Sequence, residues 1–398
     1  MKNRIQSAVN DVFDKMIEIR RHIHMFPELS GQEEKTSEYI AAILKDWGVG
    51  FTQNIAGYGI VAQIEGVNAD AACGALRADT DALPIQEMND VPYKSKIPGV
   101  MHACGHDAHT AALLGTIYVL NSVKDSFNGR LKFFFQPSEE KFPGGAKLMI
   151  EEGVLENPDV QFVLGAHVLP TLEAGKVGVK SGMYMASTDE IYLTVKGKGG
   201  HAATPELLVD PVLIAVEVLS SLQQVISRKN NPAIPSVLSF GRFLADGRTN
   251  IIPDEVKLEG TIRTFSEEWR KDAHAHIERI ATGIATSMGG ECKVNIAHGY
   301  PFLVNNEELT EVFRNTGKEF LGKDFVDLPL RMTAEDFAYY SQKVPSVFYR
   351  FGVSNPEKGI TSNLHSQTFD IDEEALKTAA SIMSMAAIQF LDHFSENK

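Results

Sequence analysis

Cysteine is scarce in this chain. Three in 398 residues, Cys73, Cys104 and Cys292, are too few to staple a protein of this size. That excludes a disulfide-framed scaffold and fits a reducing compartment. Positive charge is short as well: 38 Lys and Arg stand against 52 Asp and Glu, a formal net charge of −14. Nucleic acids and anionic membranes select basic faces, so neither is expected as a partner. Long hydrophobic runs are missing too. The longest near-apolar stretch, residues 379–391, contains Ser and Gln and is shorter than the ~20 residues of a bilayer span. It reads as a buried C-terminal helix. The opening Met1-Lys2-Asn3-Arg4-Ile5-Gln6-Ser7 has no apolar segment of secretory type. The expected location is therefore the cytoplasm.

At this length a single core is not expected to serve the whole chain, and two domains are the starting point. Helical periodicity marks residues 4–26 and 33–47, the second followed by Gly48 as a C-terminal stop. Short β-type runs at 60–64, 72–77, 131–135 and 162–166 then alternate with helical stretches at 109–121 and 145–152. This alternation predicts an α/β domain with a mainly parallel sheet and helices on both faces. The pattern changes after about residue 185. Strand, helix, strand, strand, helix, strand follow at 191–195, 209–228, 237–243, 256–264, 267–288 and 293–297, which is the ferredoxin-like split βαβ order. Alternation resumes with a helix at 307–321, a strand at 346–351 and a last helix from about 372, opened by Asp370 and Glu373 in capping-box spacing. The expectation is a discontinuous α/β domain, residues 1–185 and 296–398, interrupted by an α+β domain at 186–295.

The chemistry-bearing residues gather in three short stretches. Met101-His102-Ala103-Cys104-Gly105-His106-Asp107-Ala108-His109 holds one thiol and three imidazoles. Gln136-Pro137-Ser138-Glu139-Glu140 and Gly165-Ala166-His167 follow. Asp79 and Asp81, the Glu139-Glu140 pair and His167 fall just past expected strands, while Cys104 and His106 precede a helix. In an open α/β sheet the carboxyl ends of strands line one crevice, so these distant residues can converge. A catalytic ion takes about three protein ligands. The chain offers more, which points to two ions sharing a bridge, an arrangement suited to hydrolysis. Of the paired carboxylates, one can bind metal while its neighbour serves as general base. A solvated acidic pair, a buried incidental thiol and a Cys104 nucleophile with His106 as base are the competing readings. None of them uses the whole set. His22 and His24 read as cations at a helix C-terminus, and His102 and His109 as packing or supporting groups.

The motifs resemble a known family. Arg21-His22-Ile23-His24, Pro27-Glu28-Leu29-Ser30, Leu76-Arg77-Ala78-Asp79-Thr80-Asp81-Ala82-Leu83-Pro84 and His102-Ala103-Cys104-Gly105-His106-Asp107 look like the aminoacylase, hippurate hydrolase and auxin-conjugate hydrolase family. This is a branch of the dinuclear metallo-exopeptidases that include carboxypeptidase G2 and peptidase T. Gln136-Pro137-Ser138-Glu139-Glu140, Gly199-Gly200-His201-Ala202-Ala203-Thr204-Pro205, Asn250-Ile251-Ile252-Pro253-Asp254, Ala334-Glu335-Asp336-Phe337-Ala338 and His365 before Phe369-Asp370 extend the likeness nearly end to end. The resemblance implies two divalent ions, zinc or manganese with cobalt or nickel as alternatives, held by Cys104, His106, Glu140, His167 and His365. It implies Glu139 as general base and acid, Asp81 orienting a ligand, and His201 polarising the scissile carbonyl from a partner subunit. Asn250 and Arg263 stand at substrate-side positions. The inserted domain is implied to be a lid and homodimerisation domain. One departure matters: where the wider superfamily has His-x-Asp, this chain has Asp79-Thr80-Asp81, so its first His ligand is missing.

The activity implied is hydrolysis of N-acyl amino acids, small-molecule substrates, to a carboxylic acid and a free amino acid. A dipeptidase or carboxypeptidase would use the same two-metal chemistry. A non-catalytic binding protein of this fold would be expected to have lost the base or a ligand, and this chain has both.

Overall fold

The apolar runs at 60–64, 72–77, 131–135 and 162–166 become strands of one eight-stranded sheet in the computed structural model, which describes residues 1–396. The strands lie side by side in the order Gly50–Ile55, Gly59–Glu65, Arg130–Gln136, Cys73–Asp79, Phe162–Glu173, Ser346–Ser354, Val177–Val179 and Phe325–Asp327. The sheet is mixed. The first two neighbour pairs are antiparallel, as is Ser346–Ser354 against Val177–Val179, and the rest are parallel. Every residue of Cys73–Asp79 and Ser346–Ser354 is buried, as expected of central strands covered on both faces.

The helix His106–Ser122 lies on this sheet and packs against Lys2–Met25 and Ala375–Glu396. It is buried on nearly every side, which explains an apolar composition with little amphipathic pattern. Gly115 permits the close crossing, since a Cβ there would sit 2.1 Å from Met16 Sδ. These elements belong to a unit made of Met1–Tyr184, Val304–Leu330 and the stretch from Asp336 onward.

A second unit comprises Met185–Leu303 with Arg331–Glu335, so it runs beyond the expected boundary at 295. Its antiparallel sheet is ordered Ser236–Leu244, Glu255–Thr264, Asp189–Lys196, Glu291–His298. Helices Pro211–Gln224 and Glu267–Ser287 bury Ile214, Val218, Leu222, Ala273 and Ile277 against Ile191, Leu193, Val256 and Leu258. This is the split βαβ arrangement. Both helices start on side-chain caps: Asp210 accepts from Val212 and Leu213, and Ser266 from Trp269.

Two local expectations change, and one strand is new. His167 does not follow its strand but sits inside it, because Phe162–Glu173 continues in parallel register with Ser346–Ser354. The edge strand Gly50–Ile55, for which the sequence raised no expectation, alternates exposed and half-buried residues. Asp370 and Glu373 do not cap the last helix. Arg20 bonds Asp370 at 2.8 Å and Arg21 bonds Glu373 at 2.6 and 2.9 Å, so ion pairing competes successfully for both carboxylates.

Candidate metal centre

Cys104 lies at the meeting point of two groups of donor atoms. Its Sγ is 3.4 Å from His167 Nε2 and 3.4 Å from His365 Nε2. Ligand-type atoms of Cys104, His106 and His167 lie within 4.8 Å of one another, and so do those of Cys104, Glu140 and His365. A third such group joins His106 to Glu139 and Glu140. The structure thus brings together Cys104, His106, Glu139, Glu140, His167 and His365, all within the first unit.

Backbone geometry places the thiol and the imidazoles. Gly105 precedes His106–Ser122 at φ +85°, a left-handed conformation natural for glycine, and a Cβ there would meet Val168 Cγ2 at 2.7 Å. His365, also at positive φ, donates its N–H to Ala103 O at 2.8 Å, tying its loop to the one carrying Cys104.

The rings are held by their far nitrogens. His167 Nδ1 sits 2.8 Å from Val168 O, where it donates and leaves Nε2 facing Cys104. His106 Nδ1 is 3.1 Å from Asp81 Oδ1, and its buried Nε2 has no hydrogen-bond partner. Metal-binding imidazoles are oriented this way in general. Glu140 Oε1 is buried with His365 Nε2 3.3 Å away, so a carboxylate oxygen and an imidazole nitrogen face each other there. An orphaned His106 Nε2 beside a thiol, a carboxylate and two further imidazoles fits a divalent cation better than a closed polar core. Burial pushes the Cys104 thiol well up and the His167 imidazole well down. His167 is therefore in the neutral, ligand-competent form.

Asp81 acts behind the donors. One oxygen meets His106, and the other accepts from Ser30 Oγ at 2.6 Å and from the Glu140 N–H at 3.0 Å. Against burial, the bonds from His106 and Ser30 hold its carboxyl below the usual range. With both oxygens engaged, Asp81 is suited to aim ligands rather than to move protons. Asp79 is engaged too, with Arg77 at 2.7 Å and His109 at 2.6 Å. His109 Nε2 accepts the Val168 N–H at 2.9 Å, so neither of its nitrogens is spare. His24 does more than face a helix dipole: it bonds Asp107 at 2.8 Å and Glu87 at 3.3 Å. His22 stacks on Tyr39. His102 is buried and pushed down to about 3, hence neutral.

In the second unit, His201 and Asn250 are exposed neighbours. Strand Gly200–His201 pairs with Ile251–Ile252, and the Ala202 N–H reaches Asn250 O at 3.1 Å. Arg263 belongs to a different sheet, in an open depression of about 430 Å³ with Glu190, Tyr192 and Arg242. Residues not anticipated from the sequence include Glu33, whose Oε1 accepts the Ser138 N–H, and Asp336, which accepts from Arg77 and Gln136. These partners are 105 to 259 positions apart, and no local signal links them.

The chain is similar to known proteins over nearly its whole length. The pattern of Peptidase family M20/M25/M40 matches residues 75–389. The N-acyl-L-amino acid amidohydrolase of Geobacillus stearothermophilus is 40% identical over 307 residues, 77% of this chain and 82% of that protein. Thermostable carboxypeptidase 2 of Saccharolobus solfataricus is 36% identical over 390 residues, 97% and 98% of the two chains. The crystal structure of the Bacillus subtilis YXEP protein, described as a dinuclear metal-binding peptidase from the M20 family, is 34% identical. It superposes with a TM-score of 0.83 over 96% of this chain and 99% of that one. The chain belongs to Peptidase family M20/M25/M40 and is a hydrolase. Among the described residues, no helix is long and apolar enough to cross a membrane.

Proposed function

We propose that this protein is a two-metal amidohydrolase that cleaves N-acyl amino acids into a carboxylic acid and a free amino acid. The observation that carries the reading is Cys104 shared between two donor groups with Glu139 beside them. Cys104, His106 and His167 would hold one ion, and Cys104, Glu140 and His365 the other. Zinc suits the thiolate, while manganese, cobalt or nickel suit the imidazoles and carboxylate. When bound, such a pair supplies Lewis acidity and lowers the pKa of water toward ~7.

Glu139 is 7% exposed and stands next to the donors without being needed by either triad. It accepts a proton from the attacking water at a carboxylate oxygen and delivers it to the leaving nitrogen. Asp81 keeps His106 and the backbone of Glu140 in place meanwhile. His201 and Asn250, adjacent on their ribbon, are proposed as the carbonyl-polarising and carboxylate-binding groups. Arg263 is a further candidate for the substrate carboxylate, since its guanidinium matches that geometry. We also propose a homodimer through the second unit, with His201 serving the partner's site. Ser236–Leu244 is an edge strand of its sheet, and Val237, Phe243 and Leu244 on it with Val216 beside it leave apolar surface exposed.

The test is hydrolysis of N-acetyl and N-benzoyl amino acids, their C-terminal amides and dipeptides, after chelation and after return of zinc or manganese. Amidating the carboxylate should lower kcat/KM at least tenfold, the size of one lost charge-assisted hydrogen bond at roughly 1.5–3 kcal/mol. Equal cleavage of acid and amide overturns the N-acyl amino acid reading, and preference for dipeptides selects a peptidase. Mixing His201→Ala with Glu139→Ala chains should restore activity if His201 works across a dimer.

A further inference from the structure

The segment Glu28–Glu33 carries part of the sequence motifs yet supplies no donor to the metal centre. Its contacts point to a different task. Glu28 fixes the segment at both ends of its own turn. Its backbone carbonyl accepts the Ala82 N–H at 2.8 Å, and its carboxylate accepts the Thr36 N–H at 2.8 Å and the Lys35 N–H at 3.2 Å. From this anchored strap, Ser30 donates to Asp81 at 2.6 Å. Three residues on, Glu33 accepts the Ser138 N–H at 2.8 Å and the Ser138 hydroxyl at 3.3 Å. Glu33 is almost wholly buried, at 1% exposure, and its second oxygen has no hydrogen-bond partner. Burial, and after it the Asp81 charge, raises its carboxyl above the usual range.

Ser138 stands immediately before the Glu139-Glu140 pair and adopts φ +56°. A side-chain-bearing residue holds that conformation only where its surroundings over-determine it. Here the turn is gripped along its length. Thr80 Oγ1 donates to Gln136 O at 3.1 Å, Glu33 takes the N–H of Ser138, Asp81 takes the N–H of Glu140, and Gly145 N–H donates to Ser138 O at 3.0 Å. Residue 139 is thus bracketed by two backbone N–H groups, each held by a buried carboxyl group.

We propose that Glu33 is a positioning residue for Glu139: it locks the left-handed Ser138 turn and so aims the Glu139 carboxylate, without touching substrate or metal. This rests on the reading of Glu139 as the base. Glu33→Asp keeps the charge but withdraws the acceptor by one methylene. Displacing a catalytic group by about 1 Å can cost up to ~10²-fold, so kcat on an N-acetyl amino acid should fall at least tenfold. KM and metal content should stay near wild type. Glu33→Gln keeps an acceptor oxygen in place and should retain most of the turnover. Ser138→Val attacks the same turn from the other side, because a β-branched residue resists positive φ, and should show the same split between kcat and KM. In a Glu139→Gln background, Glu33→Asp should cause no further loss.

Normal kcat in Glu33→Asp, equal damage in Glu33→Gln, loss of metal from Glu33→Asp, or a further drop in the Glu139→Gln background each overturn the proposal. The two readings separate cleanly. An inactive Glu139→Gln with a normal Glu33→Asp sinks only the brace, whereas a near-normal Glu139→Gln sinks the assignment of the base itself.

Discussion

Two clusters of buried charge, one in each unit, differ in how completely they are paired. In the second unit, Asp189 accepts from Arg270 Nε at 2.8 Å, from Arg270 Nη2, from His274 at 2.6 Å and from the Gly299 N–H at 2.9 Å. Arg270 also reaches Glu267, at 2.8 Å, and the carbonyl of Gly299, at 3.0 Å. In the first unit, Asp81 and Asp79 are just as well served, yet the ring they support is not: buried His106 Nε2 ends without a hydrogen bond, 3.7 Å from Asp79 Oδ2. A buried charge with every lone pair answered is a structural joint. Saturated carboxylates that push unsatisfied donors toward one point are a binding site, because leaving such atoms unmade is expensive unless a ligand completes them.

The largest effect should come from the unsaturated cluster. Glu139→Gln preserves volume and removes the proton acceptor, so turnover should fall by roughly 10²–10⁴-fold while the metal-to-protein ratio stays at the wild-type value. The same substitution should leave thermal stability of the second unit untouched. Turnover within a fewfold of wild type would move the base to another residue, and Asp81 is a poor replacement because both its oxygens are occupied.

Asp81→Asn tests the link between a saturated carboxylate and the unsaturated atoms it aims. An amide can present only one acceptor, so either His106 or the Glu140 turn loses its hold. Losing a supporting partner of this kind typically costs 10–100-fold in metal affinity or activity. Competition with a fluorescent chelator would measure it. Wild-type affinity would mean that the covalent framework alone orients His106 and Glu140.

The division between the two clusters was only partly legible in the sequence. Cys104, His106, Glu139 and Glu140 stand out because donor types crowd into a few residues at the ends of apolar runs. His365 has no such local signal. It enters through family likeness, and the structure shows that a positive-φ turn and a bond to Ala103 bring it to Cys104. The supporting layer was almost invisible. Glu33 reads as an ordinary acidic residue before a helix, and the grip of Asp336 on Arg77 and Gln136 joins segments that only the fold makes neighbours. Sheet composition misled in one respect: the runs promised parallel strands, but Gly59–Glu65 pairs antiparallel on both sides. Periodicity shows which face is buried and says nothing about strand direction.

The smallest effect concerns the saturated cluster and acid. Despite burial, which would raise it, the Asp189 carboxyl is held well below the usual range by bonds from Arg270 and His274. A depressed folded-state pKa adds stability that is fully present above the unfolded value, about 3.9, and drains away as pH falls toward the folded one. Asp189→Asn has no such proton to bind. Wild type should therefore exceed Asp189→Asn in unfolding free energy at pH 5, where the carboxylate is charged in both the folded and the unfolded chain. Below about pH 4 the margin should shrink, by up to roughly 1.4 kcal/mol per pH unit. The chain has two tryptophans, and Trp269 precedes Arg270 within the second unit. In a Trp47→Phe background its emission reports that unit during urea titrations at pH 7, 5, 4 and 3. Because the two proteins share every other carboxylate, their difference below pH 5 reports this carboxyl and its pairing with Arg270 and His274. A margin that stays constant down to pH 3 would show that Asp189 is not ion-paired as drawn, and that the two clusters are alike in leaving charge unanswered.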